Sequence, residues 1–212
     1  MDEQQHLDLA ELLCARLCHD LAGPVGAVAT GAELLAEDSG DAADALELLG
    51  SSAAAASQRL RFFRLALGPA AKPVAARELC DLATGFLSGS ATSGGALAVD
   101  WRDGGVEPWP GGPAKLLLNL LLVARDCLPR GGRLRVSARQ SPAELVEMVA
   151  EGANAAPAEA VAGLLRADTA GLGPRGAQGF YTRCLAERQA VPIDISQDAG
   201  RVVLTIRENK KL

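Results

Sequence analysis

The chain has 212 residues and a formal net charge of −5; 49% of its residues are apolar but only 3% aromatic. That length fits one or two domains, and a core drawn from Leu, Val and Ala suits packed helices. The acidic balance excludes the basic footprint of a nucleic-acid binder, and runs such as Leu116–Ala124 fall short of the ~20 apolar residues of a membrane span. The polar, acidic start Met1-Asp2-Glu3-Gln4 is wrong for a secretory signal, so the expected location is cytoplasmic, with no membrane and no nucleic acid as partners.

From Leu7 to about Glu37 the apolar positions include Leu7, Cys14, Cys18, Leu21, Val25, Val28, Ala32 and Leu35, stepping by four and three from Cys14 onward. Glu37–Asp41 reads as a turn, with Gly40 ending one helix and Asp41 capping the next. Ala42–Leu67 repeats the pattern through Leu46, Leu49, Ala53, Ala56, Leu60, Phe63 and Leu67, and Gly68-Pro69 stops it. Two helices alone cannot enclose both stripes. A second copy would bury them in a four-helix bundle, so the hairpin is expected to dimerise; its rival is a monomer packing the hairpin on its own C-terminal region.

His19-Asp20 lies inside the first helix, one turn before Pro24, whose ring removes the hydrogen bond normally made to the carbonyl of Asp20. The plain alternative is a surface histidine that happens to precede a kink. His19 follows a stripe position by one residue and so lies towards solvent, with Arg16, Gly23, Gly26 and Thr30 expected on the same side. Small residues around an exposed imidazole admit another protein's backbone, which suits group transfer to a macromolecule. The five cysteines (Cys14, Cys18, Cys80, Cys127 and Cys184) are read as buried, reduced thiols. Cys14 and Cys18 are separated by one residue more than a haem-attachment pair, and His19 points ~100° away from them, so no metal is expected.

After the linker 68–73 the pattern changes. Val74–Leu87, Pro113–Cys127, Pro157–Leu165 and about Gly176–Gln189 read as helices, and Ser88–Gly95 as a loop. Ala96–Trp101, Arg133–Ala138, Leu145–Ala150, Pro192–Ser196 and Arg201–Arg207 read as strands, the last two joined around Gln197–Gly200. The fold class is therefore α+β: an N-terminal antiparallel helical hairpin over 1–68 and an α/β sandwich over 73–212, with helices on one sheet face.

His19-Asp20-Leu21-Ala22-Gly23-Pro24 fits the H-box shape His-(Glu/Asp)-Leu-x-x-Pro, and the element order resembles a sensor histidine kinase core over nearly the whole chain. The resemblance implies a dimerisation and phosphoacceptor hairpin followed by a Bergerat (GHKL) ATP-binding domain. The second half departs from that pattern. Asn119 matches the first asparagine of the kinase N-box, but the residue that would reach nucleotide-bound Mg²⁺ is Val123, which offers no oxygen. In Val149–Ala155, the adenine-reading aspartate of Asp-x-Gly-x-Gly falls at Ala150, its first glycine at Gly152 and its last at Asn154. Gly171–Gly179 keeps glycines but not the phosphate-gripping order.

An intact phosphoacceptor beside an eroded ATP site is similar to the ChpT-type histidine phosphotransferases of alphaproteobacterial phosphorelays, most closely from Arg16 through Val28 to Leu35. This implies a homodimer that takes phosphoryl from the receiver domain of a hybrid histidine kinase onto His19 and passes it to response-regulator receivers, including the CtrA type. Asp20 would orient the ring or share its proton, and Arg16 would offset phosphate charge. Arg59, Arg61 and Arg64 are candidates for docking an acidic receiver face. No cofactor is expected on this chain, with Mg²⁺ on the receiver. Trp101, Trp109 and Phe180 read as core or as regulator contacts. The rivals are a divergent ATP-dependent histidine kinase and a non-catalytic receiver-binding adaptor.

Overall fold

The computed structural model describes residues 2–36, 42–70, 72–88, 95–103, 108–139 and 145–207. The turn expected over Glu37–Asp41 and most of the loop expected over Ser88–Gly95 lie outside them. Helices α1 (Glu3–Ala36) and α2 (Ala42–Leu67) form the hairpin. Then follow α3 (Ala76–Ser88), β1 (Leu97–Asp103), α4 (Gly111–Asp126), β2 (Gly132–Arg139), β3 (Leu145–Glu151), α5 (Glu159–Leu164), α6 (Pro174–Arg188), β4 (Ile193–Asp198) and β5 (Arg201–Arg207). Val74 does not start α3 as expected; it bridges Trp109 through reciprocal backbone bonds of 2.8 and 2.7 Å.

The sheet runs β1-β2-β3-β5-β4, with only β1 and β2 parallel. Alternation puts Leu134, Val136, Ala138, Met148, Val202 and Leu204 on a buried face against the helices. On the other face Arg135 pairs with Asp100 at 3.6 Å and with Glu151 at 3.4 Å, and Arg201 pairs with Glu151 at 3.4 Å. Helix α4 is buried from Ala114 to Ala124, and its apolarity on every side suits its place between the sheet, α2 and α6. Trp109 and Phe180 are core residues, at 1% and 0% exposure.

Within one chain the hairpin leaves most of its stripe uncovered. Residues Leu9, Arg16, Pro24 and Gly31 are the buried ones of α1, and Ala45 and Ser52 are buried on α2. A Cβ on Gly31 would lie 3.1 Å from that of Leu49 and 3.3 Å from the carbonyl of Ala45, so small residues set the helix separation. The stripe itself faces outward, with Leu7, Val25, Leu46 and Leu60 at 53, 55, 58 and 50% exposure. Contacts with the C-terminal region come from residues off the stripe and from its C-terminal end, Phe63 and Leu67. Leu9, Leu12 and Leu13 meet Phe180 and Leu172, while Phe62, Phe63 and Ala66 share the main core with α3 and α4.

By length and composition α1 could cross a membrane, contrary to the expectation that no run suffices. The same helix packs along α2 and buries charged Arg16, but only 11% of its apolar stretch is covered within the chain. All five cysteines are free, but only Cys127 is buried; Cys14 and Cys18 are exposed, which corrects the reading of five interior thiols.

Candidate functional site

The His19 side chain is 80% exposed, and its Nδ1 lies 3.3 Å from Oδ1 of Asp20. Nearby on α1, Gly23, Gly26 and Thr30 are exposed, and a Cβ at either glycine would meet nothing within 4 Å. The imidazole thus stands on an open surface.

Asp20 faces the other way, with its side chain at 12% exposure. Arg16 Nε donates to its Oδ2 at 3.1 Å, and Arg125 Nη2 lies 3.6 Å from the same oxygen. Burial alone would favour the protonated acid, but the Arg125 and Arg16 charges outweigh it and hold the carboxyl below its ordinary range. Asp20 is therefore a carboxylate, which can only accept. The bond from His19 then requires a proton on Nδ1, and in the neutral tautomer that makes this bond the lone pair lies on Nε2.

Arg16, expected on the outward side to meet phosphate, is instead 3% exposed. Its two Nη groups donate to Asp126 at 2.9 and 3.0 Å, which commits the guanidinium inside the protein. Arg59 is likewise turned inward: its Nη1 donates at 3.1 Å to the carbonyl of Asp20, the acceptor that Pro24 leaves without its helical partner. Arg61 and Arg64 are exposed and line a cleft of about 400 Å³ between α2 and α3, together with Leu65, Lys72, Glu78 and Leu82.

Sequence reasoning missed Arg125 and Asp126 as parts of this site. Their signal was local: an Arg-Asp pair closing the apolar run Leu116–Ala124. Arg125 also sits over the Phe86 ring, 5.3 Å from its centroid, and Phe86 stacks on Phe62 at 4.0 Å.

Residues matching the nucleotide motifs serve the fold. Asn119 is fully buried; its Nδ2 donates to the carbonyls of Ala66 and Lys115, both at 2.7 Å, and its Oδ1 accepts from Gln178 at 2.7 Å. With Lys115, which donates to Gly68 at 2.7 Å, it closes the C-terminal end of α2. Val123 and Ala150 lie in the apolar core, Gly152 is half-buried in a turn, and Asn154 is exposed. At the start of α6, the N–H of Gly173 donates to Glu159 Oε1 at 2.8 Å, so an internal carboxylate occupies the positive helix end. Gly179 permits α6 to meet α5, since a Cβ there would lie 1.8 Å from the Ala160 carbonyl. Among the described residues, no group of three His, Cys, Asp or Glu is placed to hold a metal.

The site is thus a helical hairpin presenting His-Asp, joined to a five-stranded mixed sheet with helices on one face. The model of the histidine phosphotransferase C-terminal domain matches residues 80–201. Protein phosphotransferase ChpT of Brucella abortus (strain 2308) is 33% identical, the match covering 94% of this chain and 95% of that protein. A bacterial phosphotransferase solved at 1.7 Å superposes with a TM-score of 0.78 at 32% identity, over 94% of this chain and 96% of the other. The chain belongs to the histidine phosphotransferase family and is a phosphotransferase of phosphorelay type.

Proposed function

We propose that His19 is the phosphoacceptor, carrying phosphoryl from the receiver domain of a hybrid histidine kinase to response-regulator receivers, with CtrA-type cell-cycle regulators among them. The observation that carries this reading is the exposed ring whose Nδ1 meets an ionised Asp20 while Nε2 faces open surface. The Nε2 lone pair forms the N–P bond as the P–O bond to the receiver's aspartate breaks, and that bond's electron pair stays on the aspartate carboxylate. The ring gains positive charge while Nδ1–H remains against Asp20, whose negative charge offsets it. Gly23 and Gly26 give the receiver backbone room, and Pro24 fixes the turn beneath them. Arg61 and Arg64 receive the acidic receiver face, whereas Arg16 and Arg59 act from inside.

The chain works as a homodimer in the cytoplasm. The outward stripe of Leu7, Val25, Leu46 and Leu60 supports this, since a second hairpin covers it and an aqueous surface does not. It needs no cofactor of its own; Mg²⁺ belongs to the receiver. The internal engagement of Asn119 and Glu159, with Val123 in the core, supports transfer without ATP.

The test incubates the purified protein with a pre-phosphorylated receiver, beside His19→Ala and beside labelled ATP alone. Label passing from receiver to wild type and absent from the other two is the expected result. Label arriving from ATP alone makes the protein a kinase. No label in any arm, with receiver binding retained by His19→Ala, makes it an adaptor.

A further inference from the structure

Four charged side chains connect the end of α4 to the exposed imidazole. Asp126, at 4% side-chain exposure, grips both Nη groups of Arg16 at 2.9 and 3.0 Å. The third donor of Arg16, Nε, reaches Oδ2 of Asp20 at 3.1 Å. Arg125 braces both acids, lying 3.1 Å from Asp126 and 3.6 Å from Asp20. Only Oδ1 of Asp20 is left for His19.

A carboxylate has two equivalent oxygens and a soft terminal torsion, so an unheld aspartate beside a histidine samples many geometries. Here the planar fork of Arg16 is fixed by Asp126, and fixing the fork fixes which oxygen of Asp20 meets the ring. We propose that Asp126, with Arg125, is a positioning residue for phosphoryl transfer, acting through Arg16 and Asp20 to hold His19 with its proton on Nδ1. The inference rests on His19 being the phosphoacceptor. It gives the C-terminal region a part in the acceptor site independent of any receiver it touches. Asp126 contacts neither the histidine nor the phosphoryl group, so it is not a catalytic residue.

The chain has two histidines, His6 and His19, so ¹⁵N-histidine labelling reads the ring directly. In wild type, His19 shows a protonated Nδ1 and a bare Nε2. In Asp126→Asn the population shifts towards the Nε2–H form, and transfer from a phosphorylated receiver slows about tenfold at unchanged receiver affinity. Asp20→Asn slows transfer by itself, and adding Asp126→Asn to it produces no further loss, because both changes interrupt one path. An Asp126 that merely holds the fold slows transfer equally in both backgrounds and leaves the His19 tautomer unmoved; either result overturns the proposal. Should Asp126→Asn melt below the assay temperature, Arg16→Lys carries the same expectations, keeping the charge but losing the fork. Wild type that takes no label at His19 overturns the phosphoacceptor reading, while the tautomer measurement still tests the positioning.

Discussion

Replacing Arg16 with methionine removes the centre of the buried charge network at similar side-chain length. Three charge-assisted bonds disappear, at 3.1 Å to Asp20 and at 2.9 and 3.0 Å to Asp126. Asp126 keeps only Arg125, at 3.1 Å, and stays in a site where its side chain is 4% exposed. Breaking a buried pair while leaving one partner in place costs about 3–5 kcal/mol, mostly from the stranded charge. Native stabilities lie near 5–15 kcal/mol, so this is a large fraction of the total. With about 2–4 °C per kcal/mol for a chain of this size, the melting temperature should fall by ~10 °C. Urea denaturation followed by circular dichroism measures the change. The double variant Arg16→Met/Asp126→Leu replaces the bidentate pair with apolar groups, and should regain at least half of the loss. A loss below ~1 kcal/mol in the single variant, or no recovery in the double, would refute the claim that the network is dry.

Acid should reveal Asp20. Its folded carboxyl sits below the ordinary value of 3.8, because Arg125 and Arg16 outweigh burial, so its stabilisation is present above that value and disappears as pH falls through the folded pKa. Asp20→Asn should flatten that part of the urea-midpoint profile; an unchanged profile contradicts the assignment. Asn119→Ala should cost about 2 kcal/mol by uncapping the carbonyl of Ala66, yet leave the transfer rate as in wild type. Gly179→Ala should cost about 2–3 kcal/mol, since its methyl meets the Ala160 carbonyl; a neutral result would mean that α5 and α6 slide apart freely. The Cys127 thiol, pushed up to about 11 by burial, should resist thiol reagents at pH 8, while Cys14 and Cys18 should react in dilute protein and become protected as concentration rises, the mark of the proposed homodimer.

The sheet was legible because its physics is local. Alternation in Arg133–Ala138 and Arg201–Arg207 fixes which side chains enter the core without reference to anything distant. The last hairpin shows the limit: β4 continues to Asp198, two residues beyond the expected strand, because pairing with β5 outweighs the turn preference of Gln197-Asp198. The hairpin stripe was legible too, but its meaning was not. Periodicity marks an apolar face without saying whether it meets the same chain or another. The intrachain contact uses Gly31, Ala45 and Ser52, whose small size carries no hydropathy signal. Arg16 was misplaced for a related reason. Helical spacing sets it near His19, but its partner Asp126 is 110 residues away, and the local Arg125-Asp126 pair that closes α4 does not say which residue it meets.

Pro24 ties the two halves of the site together. Its ring frees the Asp20 carbonyl, a defect readable from spacing alone, and a freed carbonyl near the protein surface could simply take a water. Arg59 takes it instead, from the opposing helix, three residues before Phe62, which stacks on the Phe86 ring beneath Arg125. Asp20 is thus held through its backbone by α2 and through its side chain by α1 and α4. Those helices converge on this residue rather than on the histidine beside it, whose ring is left free to meet another protein. On the proposed role of His19, an approaching receiver would find Asp20 fixed beside it and an open face. The residue that makes both possible is the proline, because an unbroken helix would satisfy the Asp20 carbonyl internally and leave Arg59 no reason to cross.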